Sequence, residues 1–206
     1  MVKTWNEAID NNNNSLTRRK ELIHPSGHND IDYFNSGKRD ALHVIKSCEL
    51  KKDEFILEYG CGDGRILRHL DGHYEVQGVD ICYKFIDESR KYNLRTFHID
   101  IDLFFKFDKI YSLTVFIHLN KDQSKKALQY IYKHLKEGGK AYLQILVYGF
   151  DRNANEFIGL NYWKKETLIK MVEDIGFKVN HIEEMKGNVD EGIFANNHNN
   201  FCIFEK

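Results

Sequence analysis

The sequence predicts an α/β domain with a mostly parallel sheet covered by helices on both faces. Three observations carry that prediction. Strand-like apolar runs alternate with segments of helical period along the chain. An early strand, Phe55-Ile56-Leu57, runs straight into a glycine-rich turn, Glu58-Tyr59-Gly60-Cys61-Gly62-Asp63-Gly64. The chain then closes on two strand-like segments, 177–185 and 200–204, joined by an Asn-rich loop without a helix, which adds an antiparallel edge.

Taken in order, residues 1–35 stand apart by composition. They are polar, carry the run Asn11–Asn14 and hold the only proline, Pro25. Trp5, Leu16, Leu22 and Ile23 suffice for a partial helix packed on a domain, not for a core of their own. Asp32–Arg39 precedes a helix with Ala41, Leu42, Ile45 and Cys48 on one face. After strand one, Gly60, Gly62 and Gly64 let the backbone turn sharply and approach a ligand with no Cβ in the way. Arg65–Leu70 is expected as a helix whose first N–H groups aim at whatever sits above the turn. Tyr74–Val79 reads as strand two, with Asp80 at its carboxyl end, where a carboxylate can accept two hydrogen bonds from a ribose diol.

Cys82, Phe85, Ile86 and Ser89 follow at helical spacing, and Arg95–His98 reads as strand three, ending in Asp100-Ile101. Strand four, Phe107–Thr114, begins too soon afterwards for a helix to intervene. Asn120 is an N-cap with Gln123 at the third helical position, ahead of Ala127, Leu128, Ile131 and Leu135. Strand five, Ala141–Tyr148, is nearly all apolar or aromatic and should be buried. A long loop, Asp151–Asn161, leads to a helix with Leu168, Met171, Val172 and Ile175 on one face, closed by Gly176.

Bulk properties narrow the function classes. At 206 residues, 42% hydrophobic and 30% charged, the chain is an ordinary soluble domain. No apolar run approaches a bilayer span, and the N-terminus lacks the apolar core of a signal peptide, so a cytoplasmic location is expected. Cys48, Cys61, Cys82 and Cys202 are scattered singly, without the spacing of a disulfide framework or a metal site. A net charge of −1 argues against nucleic acid as a partner. Lys121, Lys125, Lys126, Lys133, Lys136 and Lys140 read as a solvated face.

The dinucleotide fingerprint G-x-G-x-x-G needs a glycine where this chain has Arg65, which counts against NAD or FAD. An acid two positions before the first glycine, followed by G-x-G-x-G, resembles motif I of the class I S-adenosylmethionine-dependent methyltransferases. The later landmarks resemble that family in order: Asp80, Asp100-Ile101, the aromatic-Asp step Phe107-Asp108, and Leu135-Lys136-Glu137-Gly138-Gly139 before strand five. Tyr33-Phe34-Asn35-Ser36-Gly37 is similar to a short stretch that folds over the methionine end of the cofactor. Two departures stand out: Glu137 replaces the usual proline, and the helix between strands three and four is missing, which could reshape one wall of the acceptor site.

The resemblance implies a Rossmann-like three-layer sandwich with a seven-stranded sheet in the order 3-2-1-4-5-7-6, strand seven antiparallel. It implies S-adenosyl-L-methionine as cofactor and S-adenosyl-L-homocysteine as product. Carried onto this sequence, the cofactor residues are Glu58, Gly60, Cys61, Gly62 and Gly64; Asp80 for the ribose, with Ile81 beside it; Asp100 and Ile101 bracketing the adenine; and Thr114 at the end of strand four. Residues 1–35 would be a polar extension or lid, and 36–206 the cofactor-binding methyltransferase domain.

The acceptor is less legible. Val115–Leu119 occupies the stretch that in this family lies beside the transferring methyl, and it lacks the N/D-P-P-Y pattern of enzymes acting on DNA-base amines. No acidic pair offers a magnesium site. His118 can deprotonate a hydroxyl or serve as a structural hydrogen-bonder; both readings stand. Tyr33, Phe34, Tyr148, Phe150, Phe157, Tyr162 and Trp163 are expected to roof a small, partly apolar acceptor. The expectation is in-line methyl transfer to a small-molecule nucleophile by a monomer or homodimer. The alternatives are an RNA or protein methyltransferase, supported by the lysine-rich helix and Arg18-Arg19-Lys20, or a non-catalytic cofactor-binding subunit.

Overall fold

The computed structural model describes residues 4–11, 20, 21, 23–153, 159–185 and 201–206. Its strands are β1 (Phe55–Tyr59), β2 (Glu75–Asp80), β3 (Thr96–His98), β4 (Phe107–Ser112), β5 (Leu135–Leu143), β6 (Val147–Tyr148), β7 (Trp163–Lys164), β8 (Lys178–His181) and β9 (Cys202–Glu205). Seven of them form one sheet in the order β3-β2-β1-β4-β5-β9-β8, while β6 and β7 pair as a separate short ribbon. β1, β2 and β3 pair in parallel, as do β4 and β5, while β9 is antiparallel to both β5 and β8. This is the Rossmann-like order expected from the sequence, with the last strand inserted against the grain. The chain divides into two compact units, Met1–Asp102 and Leu103–Lys206.

In the first unit, α1 (Trp5–Asn11) places Ile9 in a buried cluster with Cys82 and Phe85, against which Trp5 and Ile23 pack. Leu16, Leu22 and residues 12–14 of the Asn run lie outside the described residues. Helix α2 (Asp30–Ser47) starts earlier than expected, so Tyr33–Gly37 lies within it. The cause is Asn29, whose side chain accepts from the N–H groups of Ile31 and Asp32 at 2.9 and 3.1 Å and so nucleates the first turn. Helix α3 (Tyr83–Arg90) buries Phe85, Ile86 and Ser89.

The helix expected over 65–70 is absent: a run of turns ends in a short 3₁₀ turn, Leu67–His69. Gly64, the residue before this stretch, has φ +82° and turns the chain into it. Arg68 then donates from Nε and Nη2 to the carbonyls of Gly64 and Asp63, at 3.0 and 3.2 Å, holding the turn closed. No ladder of free helical N–H groups therefore faces the glycine loop.

In the second unit, β5 begins and ends earlier than expected. The Lys136–Gly139 turn, with Gly138 at φ +73°, is taken up as an irregularity in the β4–β5 register, and the strand stops at Leu143. Helix α4 (Lys121–His134) has the anticipated reciprocal cap. Gln123 N–H donates to Asn120 Oδ1 at 3.0 Å, and Asn120 N–H to Gln123 Oε1 at 2.9 Å. Helix α5 (Lys165–Ile175) ends as expected at left-handed Gly176, φ +115°. Among the described residues no helix is long and apolar enough to cross a membrane. The Asn-rich loop before β9 lies outside the described residues.

Asn120 satisfies a helix donor that water would otherwise have to reach. Asn120→Ala should lower unfolding free energy by about 1 kcal/mol, read as a lower urea midpoint at unchanged slope. An unshifted midpoint would contradict the capping role.

Candidate functional site

In the first unit the glycine loop adopts the conformation its sequence demands. Gly60, Gly62 and Gly64 have φ values of +80°, +54° and +82°. The N–H groups of Gly60 and Cys61 both donate to the Val79 carbonyl, at 2.7 and 3.0 Å, so the loop is folded onto the end of β2. A Cβ on Gly78 would lie 2.7 Å from Cβ and Sγ of Cys61, which is why a strand interior carries glycine there. Burial pushes the Cys61 thiol well above its ordinary pKa, aided by the charges of Asp80, Glu58 and Asp63. Glu58 is buried near the end of β1, in register with Gly78.

Asp80 closes the arrangement. Its Oδ2 accepts the N–H of Gly62 and its Oδ1 the N–H of Cys82, both at 2.8 Å. Burial raises its pKa to about 6, opposed by those backbone donors. Each oxygen has a second lone-pair direction, so accepting a ribose hydroxyl is compatible with these bonds. Asp80 is therefore more than a ligand candidate: it also fixes the loop.

Sequence reasoning missed the clamp on the loop's other side. The Tyr33 hydroxyl, buried in α2, donates to Asp63 Oδ1 at 2.8 Å, and Arg68 Nη2 lies 3.5 Å from the same oxygen. Arg65 pairs with Asp40 at 2.6 Å and donates to Ser36 Oγ at 3.1 Å. Gly37 allows this contact, since a Cβ there would stand 2.2 Å from the Arg65 carbonyl oxygen. Burial raises the Asp63 pKa, against the pull of Arg68 and of the Tyr33 hydrogen bond. Near the ends of β2 and β3, Ile81 and Ile101 leave about half their surface open, and Asp100 is exposed.

The second unit holds Thr114 and His118. Thr114 follows β4 with φ +57°, a rare state for a β-branched residue and one that concentrates at functional sites. Its N–H donates to Oε1 of buried Gln144 at 2.8 Å, and the Gln144 N–H donates to the Ser112 carbonyl. Gln144, just past β5, was not picked out from sequence; nothing in its local pattern marks it. His118 ends the 3₁₀ turn Phe116–His118, with Nδ1 3.2 Å from the Gly159 carbonyl oxygen. A carbonyl only accepts, so Nδ1 carries the proton, and the neutral ring then has its lone pair on Nε2.

The aromatic roof is not assembled as expected. Tyr33, Tyr148, Tyr162 and Trp163 are core residues, and Tyr148 and Tyr162 pack with Ile117 and Leu146. Phe34 sits edge-on to His69, Phe150 is partly open, and Phe157 lies outside the described residues.

Comparison with known proteins agrees with this architecture. Residues 56–139 match a family model described as a methyltransferase domain. No curated protein matches the chain in sequence. Among solved structures, a TehB-like SAM-dependent methyltransferase from Corynebacterium glutamicum is 19% identical, covering 86% of this chain and all of its own, at TM-score 0.56. CcbJ methyltransferase from Streptomyces caelestis is 17% identical over 82% of this chain and 89% of its own, at TM-score 0.57. CalS10, an amino pentose methyltransferase from Micromonospora echinaspora, is 15% identical over 84% and 89%, at TM-score 0.55. Residues 56–139 thus resemble a methyltransferase domain, and the fold is the Rossmann-like one of S-adenosylmethionine-dependent methyltransferases. The residues present fit S-adenosylmethionine: a tight loop turned by three positive-φ glycines, a carboxylate with acceptor capacity to spare, and two half-open isoleucines for a flat ring.

The pKa of Asp80 makes the site pH-dependent. Folding raises it from 3.8 to about 6, so the folded state binds the extra proton between those values, and ligand-free stability falls as pH rises through that window. If Asp80 takes a ribose diol, it does so in the ionised form, and affinity for S-adenosylhomocysteine should then weaken below pH about 6, by up to ~10-fold per pH unit. Asp80→Asn should weaken binding about 10- to 150-fold and flatten the pH dependence, measured by calorimetry from pH 5 to 8. A pH response surviving in the variant would assign it to another group.

Proposed function

We propose that this protein transfers a methyl group from S-adenosylmethionine to a small-molecule nucleophile by in-line displacement. The observation that carries the cofactor half is the double-accepting carboxylate of Asp80 beside a loop turned by three positive-φ glycines. On this reading Gly60, Cys61, Gly62 and Gly64 admit the methionine end through their backbone, with Glu58 orienting it. Asp80 takes the ribose diol, Ile81 and Ile101 flank the adenine, Asp100 meets its amino group, and Thr114 completes the set. Bound there, S-adenosylmethionine supplies an electrophilic sulfonium methyl. The protein's part is to hold donor and acceptor in line and away from bulk water, which can be worth about 7–11 kcal/mol.

His118 is the candidate base. Its bond to the Gly159 carbonyl supports a ring with the proton on Nδ1 and the lone pair on Nε2, the form that can take a hydroxyl proton as the new O–CH₃ bond forms. The small-molecule class is supported by the net charge of −1. It is also supported, by analogy of fold, by a neighbour described as an amino pentose methyltransferase. Residues 1–35 are read as a lid on the domain 36–206. In support, Ile23 comes within 3.2 Å of where a Cβ on Gly62 would stand, although α2 itself runs unbroken across that boundary.

Incubation of the purified protein with cell extract and methyl-labelled S-adenosylmethionine, followed by mass spectrometry, should yield a labelled small molecule. Label only in RNA or protein would move the acceptor class, and no label at all would favour a binding subunit. With the acceptor in hand, His118→Asn keeps a donor for Gly159 but has no base. It should lower kcat by about 10²–10⁴-fold with cofactor affinity unchanged. A retained rate would leave His118 only its structural tie.

A further inference from the structure

We infer that His98 is a positioning residue for the adenine end of the site and sets a preference for a 6-amino over a 6-oxo purine. The inference rests on the cofactor reading above. His98 is the last residue of β3 and is buried. Its Nε2 stands 2.8 Å from the Ile81 carbonyl oxygen. Because a carbonyl only accepts, Nε2 carries the proton, and in the neutral ring Nδ1 is left as an acceptor. The Asp100 N–H is placed to use it, at 3.3 Å. The backbone carbonyl of His98 takes the Ile101 N–H at 3.0 Å. Tyr83, at the head of α3, covers one face of the ring, with centroids 3.5 Å apart and planes 2° from parallel.

One buried residue thus ties down three exposed ones from two different strand ends, its side chain holding Ile81 and Asp100 and its backbone carbonyl holding Ile101. It also constrains the Asp100 carboxylate. The bond to the Asp100 N–H sets the backbone that carries this side chain, which is 78% exposed. A carboxylate held facing outward accepts from an exocyclic amine. Against a 6-oxo group it would set acceptor against acceptor, and the missing bond leaves the purine penalised. Without Nδ1, nothing on His98 would hold the Asp100 N–H, and the carboxylate would lose its bearing on the purine edge.

The two ring nitrogens can be separated by substitution. In His98→Asn the amide oxygen stands near the Nδ1 position, keeping an acceptor for the Asp100 N–H. In His98→Gln the amide nitrogen stands near the Nε2 position, keeping a donor for Ile81. Calorimetry on the full chain, using S-adenosylhomocysteine and its 6-oxo analogue S-inosylhomocysteine, reads the difference. The unaltered protein should prefer the amino compound by about 10- to 150-fold. His98→Asn should keep most of that preference, and His98→Gln should lose it while still binding. A purely structural His98 would weaken both ligands equally in both variants with the preference intact, which overturns the proposal, as does equal binding by the unaltered protein. Binding of neither ligand by the unaltered protein would instead overturn the cofactor reading. Should a variant misfold, imidazole ¹⁵N NMR of the unaltered protein decides: a proton on Nε2 agrees with the proposal, and a proton on Nδ1 contradicts it.

Discussion

Both oxygens of Asp80 accept backbone N–H groups, one from Gly62 in the glycine loop and one from Cys82 at the entry to α3. Much of the first unit is arranged so that this can happen. The loop lies down on β2 because Gly60 and Cys61 share the Val79 carbonyl, and it can lie so close because Gly78 has no side chain to meet Cys61. Burial disfavours the ionised carboxylate and the two donors favour it; the balance leaves a group that is charged at neutral pH and close to titrating. A group in that state has acceptor capacity left for a ligand. On the proposed function, loop order and cofactor binding are then properties of the same carboxylate.

The opposite side of the loop is held by charge rather than by backbone. Asp63 sits between the Tyr33 hydroxyl and Arg68, while Arg65 reaches Asp40 and Ser36 on α2. Asp63, Tyr33 and Arg65 are buried, and breaking a buried pair leaves an uncompensated charge, which costs far more than the intact pair contributes. Helix α2 thus carries the stretch Tyr33–Gly37 as the loop's anchor. Asp63 and Arg65, on either side of Gly64, are committed to that anchor rather than to solvent.

The parts of this design that repeat in sequence order were legible. The three glycines, the acid ending β2, the acid-isoleucine pair after β3 and the Asn120 cap all depend on local chemistry, and each appears where its spacing placed it. The strand order could be foreseen through the resemblance. What escaped depends on contacts between residues far apart in the chain. Arg65–Leu70 has a helical composition, yet Gly64 and the Arg68 guanidinium bend it into turns. Gln144 matters through Thr114, thirty positions earlier. The aromatic residues resembled a roof because aromatic side chains serve cores and ligand walls equally well, and only burial separates the two uses. His98 was placed on β3 without a role, since a lone histidine at a strand end says nothing until its two nitrogens have partners.

The central claim is that the Asp80 carboxylate holds the glycine loop and the cofactor together. Following the Gly62 and Cys82 amide resonances by ¹⁵N NMR against pH tests it directly. In the ligand-free protein both should move with one shared apparent pKa of about 6. Saturation with S-adenosylhomocysteine should lower that pKa, because ribose hydroxyls add donors to the ionised form. Amides that do not titrate between pH 5 and 7, or a shared pKa that the ligand leaves in place, would contradict the account.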